Sequence, residues 1–404
     1  MRILIDDAIP GADSLFKQLG EVRPFPGRRL TRDLLADADA LIVRSVTVVS
    51  PNLVQGTPVR FVGTATSGFD HVDSAALTEA GVHFAYAPGC NAQAVAEYVF
   101  TAVHQLAVRQ GRDPYAMSLG VVGVGHVGGR VAEIAGLLGM KVLACDPPRF
   151  RAGTLAGHVP IDELLPLADI LTLHVPRVAD GPDATVNLID ANRLARTRPG
   201  AILINAARGG VVDEPAAAAA RQSGRLSGLV LDVWQGEPDI RPAILAAADI
   251  ATPHLAGYSA QSKRRGAAMI FTQLARWMNW PGPADEIGRK FVHDPSIASA
   301  AALSDQDQLH ADGSIHFESP SRQHDGITTG MEPILSSACP IGRADAELRA
   351  ASARGTAADE FDAIRSAFAK RNEFSHARLP AARRDIAAMN ALIALGFQFA
   401  PDVP

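Results

Sequence analysis

Two Rossmann-like lobes, each a doubly wound parallel α/β sheet, with a small C-terminal α/β domain behind them: this is the architecture the sequence predicts. Three observations carry it. Short apolar runs recur at strand-and-crossover spacing in two successive series, a glycine fingerprint opens the second series, and the composition changes at Pro281-Gly282-Pro283. A length of 404 residues fits two or three domains rather than one core. The boundaries expected are 1–92 with 258–283 for a discontinuous first lobe, 93–257 for the second, and 284–404 for the appendage.

The first series contains Ile3-Leu4-Ile5, Leu41-Ile42-Val43, Phe61-Val62-Gly63 and Val82-His83-Phe84, each followed by turn or helix signals. Repeated βα units of this kind build a parallel sheet. A long helix follows from Ala92 to Gln110, stopped by Gly111 and Pro114, with a length that suits a connector between lobes. The second series has six strand-like runs: Leu119–Val124, Lys141–Cys145, Asp169–His174, Ala201–Asn205, Gly228–Val233 and Asp249–Thr252. The intervals between them suit crossover helices, the pattern of a doubly wound sheet. A helix over 261–280 then returns the chain to the first lobe. From Pro281 to about Gly330 the periodicity fades and little regular structure is expected. Phe361, Ile364 and Phe368, then Ile386, Met389 and Ile393, resume helical spacing, with Gly396 as a cap.

Bulk composition excludes several classes. With 47% hydrophobic and 20% charged residues this is a globular chain. A net charge of -5 offers no basic field for a polyanion, so no nucleic-acid partner is expected. Cys90, Cys145 and Cys339 are far apart and read as inert thiols of a reducing compartment. MRILIDDAIP lacks the features of a signal peptide and no apolar run spans a bilayer, so a cytoplasmic protein without membrane contact is expected. No metal site is expected either; His310, His316 and His324 are irregularly spaced in a polar stretch.

The chemistry sits at the ends of the second-series strands. Gly123-Val124-Gly125-His126-Val127-Gly128 joins an apolar strand to a helix, the context a dinucleotide fingerprint requires. Its glycines allow the tight turn, the approach of a pyrophosphate and close helix–strand packing in that order. Asp146 ends the next strand, where a carboxylate accepts from both ribose hydroxyls and repels a 2′-phosphate, favouring NAD over NADP. Arg149 lies close by, and a plain helix cap is the other reading of Asp146.

Arg208 follows the strand ending at Asn205, where a guanidinium can hold a carboxylate; taken alone, a surface salt-bridge arginine is the favoured reading. His254 follows the strand ending at Thr252. Hydride transfer at a secondary alcohol needs a proton carrier at the same carbon, and imidazole suits neutral pH. Glu237, before Pro238, is placed to hydrogen-bond that ring, fix its tautomer and stabilise the imidazolium. Asp232 ends its own strand and would accept from a nicotinamide carboxamide or, alternatively, cap a loop. In the first lobe, Thr66-Ser67-Gly68 forms a polar turn suited to a carboxylate, and Arg44-Ser45 a corner suited to a phosphate; ordinary turn chemistry explains either as well.

With the fingerprint, NAARGGVVD, DVWQGEP and TPHLAGYS in order, the chain from 1 to about 280 resembles the D-isomer-specific 2-hydroxyacid dehydrogenases. The resemblance implies that Arg208, Glu237 and His254 are catalytic, with His254 the proton donor in the reductive direction. It assigns Asp146, Val175, Ala206, Ala207, Arg208, Asp232 and Gly257 to NAD. Ser45, Thr66 and Tyr258 go to substrate, with Arg44 as helper. Two departures stand out: Phe69 is bulkier than expected in its loop, and Val175 lacks the hydroxyl expected before Pro176, leaving its backbone to serve the cofactor. The segments EFDAIRSAFAKR and ALIALGF resemble the dimerisation domain of one branch of that family, implying a homodimer, whereas 284–330 matches poorly. The implied substrate is a small phosphorylated D-2-hydroxy acid, its phosphate at the Arg44-Ser45 corner with help from Arg343 or Arg349. A related dehydrogenase for another acid, or a non-catalytic NAD-sensing protein, are the other readings.

Overall fold

A computed structural model describes residues 1–294, 327–376, 378–379 and 386–399. They fall into two compact units, Met1–Asn91 with residues 259–294, and Ala92–Tyr258 with the described helices from Ile327 onward.

The first unit is built on β1 (Arg2–Asp6), β2 (Glu21–Phe25), β3 (Ala40–Val43), β4 (Phe61–Thr64) and β5 (His83–Tyr86), all parallel in the order β2-β1-β3-β4-β5. β3 and β4 are buried at every position, as expected for strands covered on both faces. The returning helix Ala260–Trp277 covers one face, with Phe271 edge-on to Phe16 at 5.7 Å. The chain order reverses between β1 and β3, so Asp6 and Arg44 leave the sheet side by side at the position where such folds bind ligands. β2 is an addition to the sequence expectation. Its residues EVRPF are mostly exposed and include Pro24, tolerated because this is an edge strand.

The helix Ala284–His293 corrects the expectation of little regular structure beyond Pro281, and it packs on Ala260–Trp277 within the first unit rather than in the appendage. Phe291 and Val292 are buried in that unit's core, with Ile287 packed against it. Its acidic first turn and basic last turn match the helix dipole.

The second unit holds β6 (Ser118–Val122), β7 (Lys141–Cys145), β8 (Ile170–Leu173), β9 (Ala201–Asn205), β10 (Leu226–Leu231) and β11 (Ile250–Ala251) in the order β11-β10-β9-β8-β6-β7, again all parallel. β10 ends at Leu231, before the expected Val233, because Asp232 turns away to bond the loop after β11. The switch in strand order falls between β6 and β8, so the glycine fingerprint emerges at it.

The helix Ala92–Arg109 is buried without a break from Ala94 to Ala107. It is a core element of this unit, and being buried all round, Glu97 and His104 included, it needs cover on its far side. The described C-terminal helices, Ile327–Ala338, Ile341–Arg354, Ala357–Phe368 and Ile386–Leu395, share this unit's core through Leu335, Cys339, Leu348, Phe361 and Leu395. A two-residue parallel pair, β12 (Arg378–Leu379) and β13 (Gln398–Phe399), accompanies them. One polar cluster pins the seam. Glu97, fully buried, accepts from Arg371 Nη1 (2.6 Å), Phe374 N (2.8 Å) and Gln93 Nε2 (2.9 Å). Burial pushes Glu97 up to about 7 while Arg371 pulls against it.

Candidate active site

β9, β10 and β11 lie side by side, with Leu231 level with Asn205 on one flank and Ala251 on the other. Their C-terminal ends therefore release three loops along one edge. Asn205 shapes the first: its Oδ1 accepts from Ala207 N (3.2 Å) and its Nδ2 donates to Arg208 O (3.0 Å). This presents Arg208 half-buried, with Nη1 donating to Ala207 O at 2.7 Å. A β-carbon on Gly209 would lie 2.0 Å from Trp234 O, so the first loop packs backbone to backbone on the second.

The second and third loops bring Glu237 and His254 together, with His254 Nδ1 2.5 Å from Glu237 Oε1. Glu237 Oε2 accepts from Trp234 N at 3.2 Å. Burial alone would raise the Glu237 carboxyl, but the His254 charge and hydrogen bond, the Trp234 N–H and the Arg365 guanidinium outweigh it and hold the group below its usual range. A carboxylate only accepts, so Nδ1 carries a proton towards Glu237 and Nε2 is the ring atom left to exchange one with a substrate.

His254 has φ +52°, a left-handed conformation that costs an L-residue about 1–2 kcal/mol. Hydrogen bonds hold it there. His254 N donates to Asp232 O (2.6 Å) and Thr252 O (3.0 Å). The Asp232 carboxylate, 1% exposed, accepts from Leu255 N (2.8 Å), Ala256 N (3.0 Å) and the Thr252 hydroxyl (2.7 Å). With the Thr252 proton so committed, Tyr98 Oη is the donor in its 2.7 Å contact with Thr252 Oγ1. Burial pushes Asp232 above its usual range. Of the two sequence readings of Asp232, loop capping is the one these three hydrogen bonds express. Tyr98 and Thr252 had no sequence signal, since their pairing spans 154 positions.

The fingerprint fits a dinucleotide. Gly123 has φ +85°, closed to side chains. A β-carbon on Gly128 would fall 1.8 Å from Gly123 O, whereas one on Gly125 would meet nothing within 4 Å. Gly125 caps the helix His126–Leu137 with no side chain bonded to its first turn, and Gly125 and His126 are exposed, leaving helix N–H groups and open space for a pyrophosphate. Val127 follows in that turn, and Val175 flanks Gly123. Asp146 Oδ2 accepts from Val124 N (2.8 Å) and Oδ1 from Arg149 N (3.0 Å), so the carboxylate both caps the next helix and ties down the fingerprint loop. Arg149 folds back onto Val124 O and Thr154. Ala206 and Gly257 are half-buried and Ala207 buried, in the loops after β9 and β11. His174, just before Val175, was not singled out from the sequence; its Nδ1 is buried without a partner, and burial pushes the ring down to about 3.

In the first unit, Arg44 Nε lies 2.9 Å from Oδ1 of the fully buried Asp6 carboxylate, so this arginine is already partly neutralised. Ser45 beside it is exposed. The Thr66 hydroxyl contacts Thr64 Oγ1 and donates to Gly68 O, both at 2.7 Å, and Ser67 Oγ accepts from Gly89 N at 3.1 Å. The Thr66 bonds are the turn chemistry the sequence allowed as the plainer reading, whereas the Ser67 bond ties the loop to a segment 22 positions on. In the second unit, Tyr258 Oη accepts from Arg365 Nη2 at 2.6 Å. Arg343 pairs with Glu347 on an exposed surface, and Arg349 with Asp345 and the carbonyls of Leu245 and Ala248. The arginine bonded to Tyr258 is thus Arg365, a residue the sequence reading did not single out. Among the described residues no cluster of His, Cys, Asp and Glu is suited to a metal, and no helix is long and apolar enough to cross a membrane. His310, His316 and His324 lie outside the described residues.

Residues 91–256 match the family model for the D-isomer specific 2-hydroxyacid dehydrogenase NAD binding domain. Over 303 residues, 73% of this chain, the sequence is 47% identical to erythronate-4-phosphate dehydrogenase of Salmonella paratyphi B, covering 80% of that protein. It is 46% identical to the same enzyme of Escherichia coli over the same shares. Among solved structures, D-lactate dehydrogenase from Aquifex aeolicus complexed with NAD and lactic acid is similar with a TM-score of 0.58 and 25% identity, over 72% of this chain and 98% of that one. An acyclic imino acid reductase in complex with NADPH and D-Arg shares the fold with a TM-score of 0.60 and 24% identity, over 70% and 98%.

Proposed function

The chain belongs to the D-isomer-specific 2-hydroxyacid dehydrogenase family, and from that premise we propose that it oxidises 4-phospho-D-erythronate at C2 to 2-oxo-3-hydroxy-4-phosphobutanoate with NAD. This is the reaction of erythronate-4-phosphate dehydrogenase in pyridoxal 5′-phosphate biosynthesis. The observation that carries the reading is the His254–Glu237 pair, 2.5 Å apart, on the strand-end edge that also bears Arg208.

When bound, NAD supplies the hydride acceptor. His254 Nε2 takes the proton of the C2 hydroxyl as the hydride leaves. Glu237, held ionised, stabilises the imidazolium so formed and keeps Nδ1 protonated throughout. Arg208 binds the substrate carboxylate with paired hydrogen bonds. The Asp232 network fixes the loop that presents His254, so little reorganisation is needed at the moment of transfer. Gly123, Gly125, His126, Val127 and Gly128 receive the pyrophosphate and Asp146 the adenosine ribose. Ser45, Thr66, Ser67 and Gly68 are proposed substrate groups of the first unit, with Arg44. The protein is proposed to work in the cytoplasm as a homodimer, which sedimentation of the full chain tests.

Steady-state oxidation of 4-phospho-D-erythronate, 3-phospho-D-glycerate and D-glycerate decides the substrate. The highest kcat/KM is expected for the first. A preference for 3-phospho-D-glycerate would make the protein a phosphoglycerate dehydrogenase, and one for D-glycerate a hydroxypyruvate reductase. Absence of NADH formation with every acid would leave an NAD-sensing protein.

A further inference from the structure

We propose that Arg365, on the C-terminal helix Ala357–Phe368, is the specificity-determining residue that takes the terminal phosphate of the substrate, together with the hydroxyl of Tyr258. The inference rests on the reading above, that the substrate is a phosphorylated 2-hydroxy acid.

The Arg365 side chain is 10% exposed. Its Nη2 donates to Tyr258 Oη (2.6 Å) and its Nη1 to Asp362 Oδ1 (3.2 Å), while Nε is buried with no partner. The guanidinium carbon lies 4.9 Å from the Tyr258 ring centroid and 5.6 Å from that of Phe361. Taking a cation out of water is costly unless its donors and charge are answered. Here the answering carboxylate, Asp362, is itself 40% exposed and met at the long end of hydrogen-bond range. A buried guanidinium with an unmet donor, fixed by aromatic rings on its faces, is prepared for an anion with several acceptor oxygens. Phosphate matches its fork better than any neutral group.

Position gives the anion its identity. Tyr258 closes the turn that starts just after His254, with Tyr258 N donating to Leu255 O at 2.8 Å. The Arg365 charge is also felt by Glu237, which touches His254. The cation thus belongs to the neighbourhood of the proton-transfer pair, while Arg208 on β9's loop is assigned to the carboxylate. In the proposed substrate the phosphate stands two carbons and an ester oxygen beyond C2, so an acid bound by its carboxylate and its C2 hydroxyl needs a second cation on the His254 side. Arg365 is a buried cation there. Were it only a packing residue for Tyr258, its loss would damage all substrates alike.

The test uses the full-length variants Arg365→Gln and Arg365→Lys, with kcat/KM measured for 4-phospho-D-erythronate and unphosphorylated D-erythronate. Arg365→Gln should lower the value for the phosphorylated acid about tenfold to a hundredfold, mostly through KM, and that for the unphosphorylated acid less than about threefold. Arg365→Lys should recover part of the loss. In parallel, inorganic phosphate should raise the Tm of the wild type and not that of Arg365→Gln. Equal losses on both acids, an unchanged rate with the phosphorylated acid, or equal stabilisation of both proteins by phosphate would overturn the assignment. If Arg365→Gln does not fold, Arg365→Lys carries the same comparisons. A wild type that prefers unphosphorylated acids would instead refute the functional reading, and the phosphate-dependent Tm would still report on Arg365 by itself.

Discussion

Replacing Thr252 by Val removes one oxygen and nearly no volume, yet that oxygen joins Tyr98 to Asp232 beneath the His254 loop. Two buried hydrogen bonds disappear. The bond to the Asp232 carboxylate is charge-assisted and is worth about 1.5–3 kcal/mol, and stranding the fully buried Tyr98 hydroxyl costs about 1–3 kcal/mol. A loss of about 3 kcal/mol would lower the Tm of a unit this size by roughly 6–12 °C. Turnover should fall as well, because Asp232 also receives the N–H groups of Leu255 and Ala256, which directly follow His254, the proposed proton carrier. Thermal and urea unfolding of Thr252→Val, Tyr98→Phe and the double variant measure the linkage. The Tyr98 hydroxyl is unsatisfied only when Thr252 is gone, so the double variant should be more stable than the sum of the single effects implies, by about 1 kcal/mol or more. Strict additivity, or a Thr252→Val loss below about 0.5 kcal/mol, would refute the argument that this network holds the loop.

Three further outcomes are expected. Gly125→Ala has open space for its methyl group, so its Tm should be unchanged while the KM for NAD rises about tenfold or more; an unchanged KM would remove Gly125 from the pyrophosphate site. Arg371→Met strands the buried Glu97 and should cost about 3–5 kcal/mol, whereas Arg371→Met combined with Glu97→Gln should regain a good part of it; no recovery in urea unfolding would contradict the buried pair. Burial alone would raise Asp169, but the Ser118 N–H and hydroxyl, with Arg198 and Arg112, outweigh it and hold the carboxyl below its usual range. Its contribution is therefore present above the unfolded carboxyl pKa near 4 and is lost as pH falls through the lowered folded value. Ser118→Ala should accordingly unfold at a higher pH on acid titration than the wild type, and coincident acid transitions would count against this.

Legibility in the sequence followed the range of the interactions involved. The glycine fingerprint, Arg208, Glu237 and His254 sit within a few residues of strand ends, and apolar runs such as Ala201–Asn205 mark those ends directly. β2 escaped because an exposed edge strand carrying Pro24 lacks the buried run that reveals a central one. The helix Ala284–His293 escaped although Ile287 and Phe291 mark an apolar stripe, because it is only ten residues long and follows directly on the helix-breaking Pro281-Gly282-Pro283. Tyr98, Thr252 and Arg365 are set by pairings between distant segments, which no local pattern encodes. The placing of 284–404 in one separate domain shows the same limit: Ala284–His293 joins the first unit, while the described helices from Ile327 onward complete the core around Ala92–Arg109, a need visible only once that helix is seen to be buried all round.

The central claim, that His254 moves the proton, is met most directly by His254→Asn, chosen because Asn tolerates the left-handed backbone that His254 adopts at φ +52°. Turnover with 4-phospho-D-erythronate should fall about a hundredfold or more, with the Tm and NAD affinity close to those of the wild type. Near-normal turnover in that variant would contradict the account.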